Sequence, residues 1–168
     1  MNRLTRILKH RWVDERDAQR ALPPDALTRI ETAVAASERR HSGEIRVCVE
    51  AGLPLSYLWK GLQARDRAIT LFGKLRVWDT AQNNGVLIYL LLAEHAIEIV
   101  ADRGLNAHVT PADWARIVGG MREAFRAGRF EDGLHQAVGA VDALLTSHFA
   151  IGADQRNPNE LPNEPLMG

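Results

Sequence analysis

The chain has 168 residues, which is the length of a single domain. Lys and Arg together number 21, as do Asp and Glu, so the formal charge is zero and the chain lacks the basic field of a dedicated nucleic-acid binder. Cys48 is the single cysteine, which excludes an intramolecular disulfide and a cysteine-rich zinc site. We therefore expect a globular protein that binds no nucleic acid.

Residues 1–22 are predicted to form a basic amphipathic helix. Its basic residues stand between apolar residues at helical spacing, and they are Arg3, Arg6, Lys9 and Arg11. This pattern is typical of a helix on an anionic membrane surface, so membrane contact through residues 1–12 is one interpretation. The other is that the apolar stripe packs on the domain, which the acids at Asp14, Glu15 and Asp17 favour because such a surface would repel them.

Compartment signals are few in this sequence. The basic N-terminus has neither the continuous apolar stretch nor the cleavage site of a secretory signal. The longest apolar run, residues 86–93, is far shorter than a membrane span. We expect a cytoplasmic protein, with peripheral attachment to a membrane left open.

Residues 23–149 are predicted to form one domain in which helices and strands are mixed. In chain order the elements are a helix over 25–40, a strand over 44–50, a helix over 56–75, strands over 86–92 and 96–100, and helices over 110–127 and 130–148. The run VLIYLLL at 86–92 is apolar on both faces, which is typical of a central strand. We predict an α/β sandwich with a small mixed sheet flanked by helices on both faces. Residues 150–168 are rich in Asn, Pro and Glu, and we predict a disordered tail.

Two polar loops are the candidate functional site. Loop 79–85 enters the predicted hairpin and loop 102–106 leaves it, so antiparallel pairing places both at one edge of the sheet. The turn at 42–44 joins them if the first two strands are parallel. Oxygen ligands from these segments suit Ca²⁺ or Mg²⁺, and the predicted ligands are Asp79, Asn83, Asp102 and Glu44. The alternative is that these residues only form turns.

Four segments resemble the TPM domain family, which is named for a thylakoid-lumen protein, a photosystem repair factor and a nematode receptor-modulating protein. The segments are SGEIRV at 42–47, NNGVLIYLLL at 83–92, IEIVADRGL at 97–105 and AFRAGRFEDG at 124–133. The resemblance covers about residues 25–148 and implies an α/β sandwich. For some members it implies acid-phosphatase-like activity with a divalent metal near the acidic loops. Many members carry a signal peptide and a membrane anchor, and we expect this chain to belong to a soluble bacterial subgroup with neither.

Two positions depart from the family pattern. The family usually has Asp before Asn-Gly-Val, where this chain has Asn83, and Asn106 replaces the acid of the usual Gly-Tyr-Gly-Leu-Glu-Gly loop. Hard-cation affinity depends on the number of carboxylates, so we expect a non-catalytic domain that associates with an unidentified protein partner. The alternative is a divalent-metal-dependent phosphohydrolase that uses the remaining carboxylates of the predicted site.

Overall fold

A computed structural model describes residues 3–168; Met1 and Asn2, the first residues of the predicted basic helix, lie outside the described residues. The helices are α1 (Arg3–Trp12), α2 (Glu15–Ala21), α3 (Pro24–Glu38), α4 (Leu55–Lys60), α5 (Ala64–Lys74), α6 (Pro111–Arg126) and α7 (Phe130–Phe149). The strands are β1 (Glu44–Glu50), β2 (Gly85–Leu91), β3 (Ala96–Ala101) and β4 (Leu166–Met167). In this part of the chain, no helix has both the length and the apolar character that crossing a membrane requires.

The four strands form one mixed sheet in the order β3-β2-β1-β4. β1 and β2 are parallel, with Glu44 opposite Gly85 and Glu50 opposite Leu91, whereas β2 and β3 form the predicted antiparallel hairpin. Helices cover both faces of this sheet, so the predicted α/β sandwich is confirmed.

β2 lies at the centre of the core because both of its faces are covered. All seven of its residues are buried, and Val86, Ile88 and Leu90 pack with α3, α6 and α7. The residues between them, at alternate positions, pack with α4 and α5 on the opposite face. Because successive side chains of a strand point to opposite faces, a strand that is covered on both faces needs apolar residues at every position.

The predicted helix over 1–22 is in fact two helices. Asp14 has an extended backbone, and its carboxylate accepts hydrogen bonds from the backbone N–H groups of Arg16 at 2.8 Å and Asp17 at 3.1 Å. A side chain that caps a helix in this way satisfies backbone donors that have no partner in the first turn. The capping contact starts α2 as a new helix, so the prediction of one continuous helix was wrong.

The predicted helix over 56–75 is also divided. Gly61 has a φ of +72°, a left-handed conformation that glycine adopts without the steric cost of a Cβ, and it ends α4. The connection to α5 leaves the carbonyl of Leu62 free to accept a hydrogen bond from Arg6 at 2.8 Å. This contact ties α1 to the helices that cover the second face of the sheet.

The C-terminal segment, predicted to be a disordered tail, instead packs along β1 in this structure. β4 pairs in parallel with Cys48 and Val49, and Leu161 is buried in the core of the second face. Arg46 donates hydrogen bonds to the carbonyls of Pro162 and Glu164. The prediction failed because two kinds of hydrogen bond hold the segment along an otherwise free edge of β1: backbone pairing with β1 and donation from Arg46 to carbonyls of the segment. Composition does not reveal such contacts.

Candidate functional site

The loops predicted to meet do meet at one edge of the sheet. Ser42 Oγ donates a hydrogen bond to Gln82 Oε1 at 2.8 Å and accepts one from Asn84 Nδ2 at 3.1 Å. The backbone N–H of Gly104 donates to the carbonyl of Asn83 at 2.9 Å. Parallel pairing of β1 with β2 and antiparallel pairing of β2 with β3 explain this arrangement, because they place these three chain ends together.

Asp79 and Asn83 both lie on the outside of this loop cluster. Asp79 Oδ2 forms an ion pair with Arg76 at 2.6 Å, and about half of its side chain is exposed. Asn83 is exposed and has a φ of +51°, a left-handed conformation that asparagine tolerates better than most residues. A Cβ on Gly104 would lie 2.4 Å from the carbonyl oxygen of Asn83, so the two loops pack backbone against backbone at this point. Both residues therefore have turn-forming contacts.

Asp102 is buried where β3 ends. Its backbone N–H donates to the carbonyl of Gly85, and its Oδ1 accepts a hydrogen bond from the backbone N–H of Arg103 at 2.7 Å. Its Oδ2 is buried and has no hydrogen-bond partner among the described residues. Asp102 is thus a structural cap that retains one oxygen for a further contact.

Glu44 is buried beneath the C-terminal segment and belongs to a pair of acids. Its Oε2 accepts a hydrogen bond from the backbone N–H of Leu161 at 3.1 Å, and burial raises its pKa. Glu38, on α3, is also buried, and its Oε1 accepts from the backbone N–H of Ile45 at 2.9 Å. Burial raises the pKa of Glu38 to about 8, and the like charge of Glu44 adds to the shift.

Sequence reasoning missed Glu38, although the sequence contains a signal for it. Ile30, Val34 and Glu38 follow one another at a spacing of four residues, which places the glutamate on the inward face of α3. A carboxyl on an apolar helix face needs a donor, and the N–H of Ile45 lies on the side of β1 away from β2, before the pairing with β4 begins. The Glu38 carboxylate therefore accepts the backbone hydrogen bond that a neighbouring strand would otherwise accept at this position.

A second buried polar group joins Ser37, His41 and Asp142, the residue types of a nucleophilic triad. Ser37 Oγ lies 2.8 Å from His41 Nε2 and 2.8 Å from Asp142 Oδ1, while His41 Nδ1 lies 3.1 Å from the carbonyl of Gly43. Since a carbonyl can only accept, Nδ1 carries a proton, and a backbone oxygen holds the position that the carboxylate occupies in a triad. Ser37 and His41 are both fully buried, so no substrate reaches the hydroxyl. The group ties α3 to α7.

Between residues 3 and 168, the predicted ligands are not gathered in the way that a hard cation such as Ca²⁺ or Mg²⁺ requires. Such ions take about six to eight oxygen ligands, whereas Asp79 is paired with Arg76 and Asn83 is turned outward. Among the described residues, Asp102 Oδ2 and Glu44 Oε1 are buried oxygens without a hydrogen-bond partner. Over residues 3–168, no group of three or more His, Cys, Asp or Glu side chains is placed to hold a metal ion.

The family model for the TPM domain matches residues 16–144, which is most of the chain. The chain belongs to the TPM domain family. The BA42 protein of the psychrophilic bacterium Bizionia argentinensis is similar in structure, with a TM-score of 0.75 and 28% sequence identity over 88% of this chain and 95% of that one. The N-terminal domain of a protein from P. gingivalis shares the fold, with a TM-score of 0.61 and 22% identity over 76% of this chain and 79% of that one. No curated protein matches the chain.

This TPM domain also has a groove at the free edge of its sheet, which sequence reasoning did not identify. The groove, about 380 Å³ in volume, lies between β3 and α6 and is lined by Ile99, Trp114 and Val118. Arg65 and Arg122 stand beside it, and both interact with Glu98. The sequence signal is weak because an outer strand is recognised only when the order of the strands is known.

Backbone groups of β3 face this groove. The N–H of Asp102 donates to β2, and in an antiparallel pair alternate residues turn the same way, so Ile97, Ile99 and Ala101 direct their backbone groups outward. Arg65 Nη1 donates to the outward carbonyl of Ile99 at 2.5 Å. The edge is therefore covered at one point by an arginine side chain.

Proposed function

We infer that this TPM domain works by association, binding an extended segment of a protein partner along the free edge of β3. The observation that carries the proposal is the outer strand, whose outward backbone groups line a groove with apolar walls. Extended peptides add to such edges through main-chain hydrogen bonds, and pockets for alternate side chains supply specificity. Edges of this kind are normally paired or covered in proteins that do not use them.

The side chains around the groove indicate the chemistry of the segment. Trp114 and Val118 provide apolar contact area for one face of an added strand. Arg65 and Arg122 supply two positive charges against the single negative charge of Glu98. Glu98 balances only one of these two positive charges, so a carboxylate on the bound segment would pair with the other arginine. The groove therefore suits an extended segment with alternating apolar residues and at least one carboxylate.

The test is selection of peptides from a random library, followed by titration with the intact domain. Ala101→Pro should abolish binding, because proline removes an outward N–H and is tolerated on an outer strand. Arg122→Glu should weaken binding of acidic peptides, whereas Arg126→Glu, one turn further along α6 and exposed, should not. Peptides that bind Ala101→Pro as well as the wild type would contradict the proposal, provided that circular dichroism shows the variant folded.

Metal-dependent phosphohydrolysis is the second candidate, and Asp102 favours it. Its Oδ2 lies at the edge where the loops meet, and it is a buried carboxylate oxygen without a hydrogen-bond partner in residues 3–168. If the site binds Ca²⁺ or Mg²⁺, millimolar cation should raise the melting temperature, and Asp102→Asn should abolish the rise. Hydrolysis of p-nitrophenyl phosphate that survives repurification, requires metal and disappears in Asp102→Ala would decide for this candidate over association.

A further inference from the structure

Helix α1 is fixed to the domain by its polar face. Arg6 Nε and His10 Nε2 both contact Glu94 Oε1, at 2.7 Å and 2.9 Å, and His10 Nδ1 accepts a hydrogen bond from the backbone N–H of Leu53 at 3.0 Å. Because a backbone N–H can only donate, the proton of the neutral ring lies on Nε2 and points to Glu94. Ile7 adds an apolar contact with the core of the second face.

The apolar face of α1 consequently points away from the domain. Leu4, Leu8 and Trp12, spaced four residues apart, are 67%, 58% and 82% exposed. On the neighbouring helix α4, Leu55 and Trp59 are 50% and 60% exposed. We call these five side chains the α1–α4 surface. Large apolar side chains grouped in this way on a soluble domain mark a binding site.

The exposed charges carried by α1 and α4 are all positive, whereas the exposed acids Asp14 and Glu15, which follow α1, line a pocket with Leu55. Arg3, Lys9, Arg11 and, on α4, Lys60 are exposed, and no Asp or Glu occurs between residues 3 and 13 or in α4. In the described part of the chain, none of these four cations takes part in an ion pair. The first acid, Asp14, is turned to the backbone of α2 as its cap. A chain with zero net charge thus concentrates positive charge around its exposed apolar residues.

We propose that the α1–α4 surface docks on an anionic lipid bilayer, with α1 lying in the plane of the interface. Lys9 and Arg11 flank the apolar stripe on opposite sides of the helix, so both reach headgroup phosphates when Leu4 and Leu8 enter the acyl boundary. Tryptophan is suited to this depth because its ring is apolar and its indole N–H stays near water. The proposal concerns a surface remote in sequence from the β3 groove and does not depend on the proposed association.

The arrangement favours lipid over a protein partner for two reasons. A protein interface carries about one hydrogen bond per 100–200 Å², whereas Leu4 and Leu8 offer no side-chain hydrogen-bonding group and Trp12 offers only its indole N–H. Positive charge on both sides of the stripe matches a continuous anionic plane and needs no particular pattern of partner residues. The hydrogen bonds to Glu94 also hold α1 in this orientation before contact.

The test is co-sedimentation of the full chain with vesicles of phosphatidylcholine and phosphatidylglycerol in a two-to-one ratio, and with phosphatidylcholine alone. We expect binding to the anionic vesicles that weakens with added salt, because the screening length falls from about 10 Å at 0.1 M to about 3 Å at 1 M. Arg11→Glu should lower the partition coefficient about thirtyfold, since each basic residue near such a surface contributes about 1 kcal/mol and the reversal changes two charges. Trp12→Ser should lower it about tenfold or more.

Matched variants outside the surface control for general effects. Arg126→Glu changes the charge equally on α6, which covers the other face of the sheet, and Trp78→Ser removes an exposed tryptophan outside α1 and α4. Both should bind as the wild type does. Equal binding by all variants, or no binding to anionic vesicles at low salt, would overturn the proposal. A dimer in lipid-free solution that Trp12→Ser dissociates would also overturn it, because the surface would then be a contact between two copies.

Discussion

Replacing Glu38 by Gln should stabilise the protein at alkaline pH and flatten the pH dependence of its free energy of unfolding. Burial, with the like charge of Glu44 adding to it, raises the pKa of Glu38 from 4.5 to about 8. Between these pH values the folded protein holds a proton that the unfolded chain has released, so stability falls as the pH rises, by up to about 1.4 kcal/mol per pH unit. Over the window the loss is about 5 kcal/mol at most.

The structure provides hydrogen bonds for a glutamine at this position. Its Oε1 would accept from the N–H of Ile45, as the carboxylate does at 2.9 Å. The amide of Asn163 donates to the Glu38 carboxylate, and among the described residues its own Oδ1 is buried without a partner. Rotation of this amide by half a turn would let Oδ1 accept from the new amide N–H. The substitution therefore removes a titrating group without leaving a buried polar atom unsatisfied.

The assay is urea unfolding of the wild type, Glu38→Gln and Glu31→Gln from about pH 5 to about pH 8. Glu31 lies on the same helix and is not buried, so its substitution controls for the change of charge on α3. The stability of Glu38→Gln relative to the wild type should increase steadily with pH. A difference that stays constant across the range would show that Glu38 does not titrate in it, and the reasoning from burial would be wrong.

Three further substitutions, with Gly73→Ala as a control, test the packing and the attachment of the C-terminal segment. Leu90→Ala, at a fully buried position of β2, should cost about 2–5 kcal/mol, and a loss under about 1 kcal/mol by urea titration would argue against a central β2. Gly104→Ala should cost about 1–3 kcal/mol because its Cβ would meet backbone atoms at 2.4 Å, whereas Gly73→Ala, with open space around it, should be neutral or stabilising. Arg46→Ala should make the C-terminal segment more susceptible to limited proteolysis, because it removes two hydrogen bonds to that segment; an unchanged digest would show that β4 pairing alone holds it.

The strands and their faces were predictable because the direction of the side chains in a strand repeats every two residues. The alternation at 44–50 and the apolar run at 86–92 each describe a local environment that the sequence carries in full. The docking of residues 150–168 was not predictable in the same way. That segment is held by backbone pairing with β1 and by carbonyls that accept from Arg46, and neither contact depends on the apolar content that the sequence reveals.

The candidate site was predictable to the level of loops but not of side chains. Strand direction alone brings loops 79–85 and 102–106 together, and the hairpin could be inferred from its turn. The contacts of Asp79 and Asp102 depend on the positions of single atoms: Asp79 pairs with Arg76, and Asp102 Oδ1 accepts from the backbone N–H of Arg103. Short polar side chains in loops usually bond to nearby backbone, which is the physical basis of the turn-forming alternative.

The orientation of α1 shows where pattern analysis stops. Its sequence predicts a helix with an apolar and a basic face, and packing through the apolar face is the ordinary expectation. The structure turns the helix the other way, because Glu94 is a partly buried carboxylate that needs donors, and Arg6 and His10 supply them. The hydrogen bond from His10, followed by the contacts with Arg6, lowers the pKa of Glu94 to about 2, so this carboxylate stays charged and keeps its hold on both residues at physiological pH. Glu94 follows β2 and is more than 80 residues from α1 in the sequence, so only the fold brings Glu94 and α1 together. An amphipathic pattern alone therefore does not determine which face of α1 is turned to solvent.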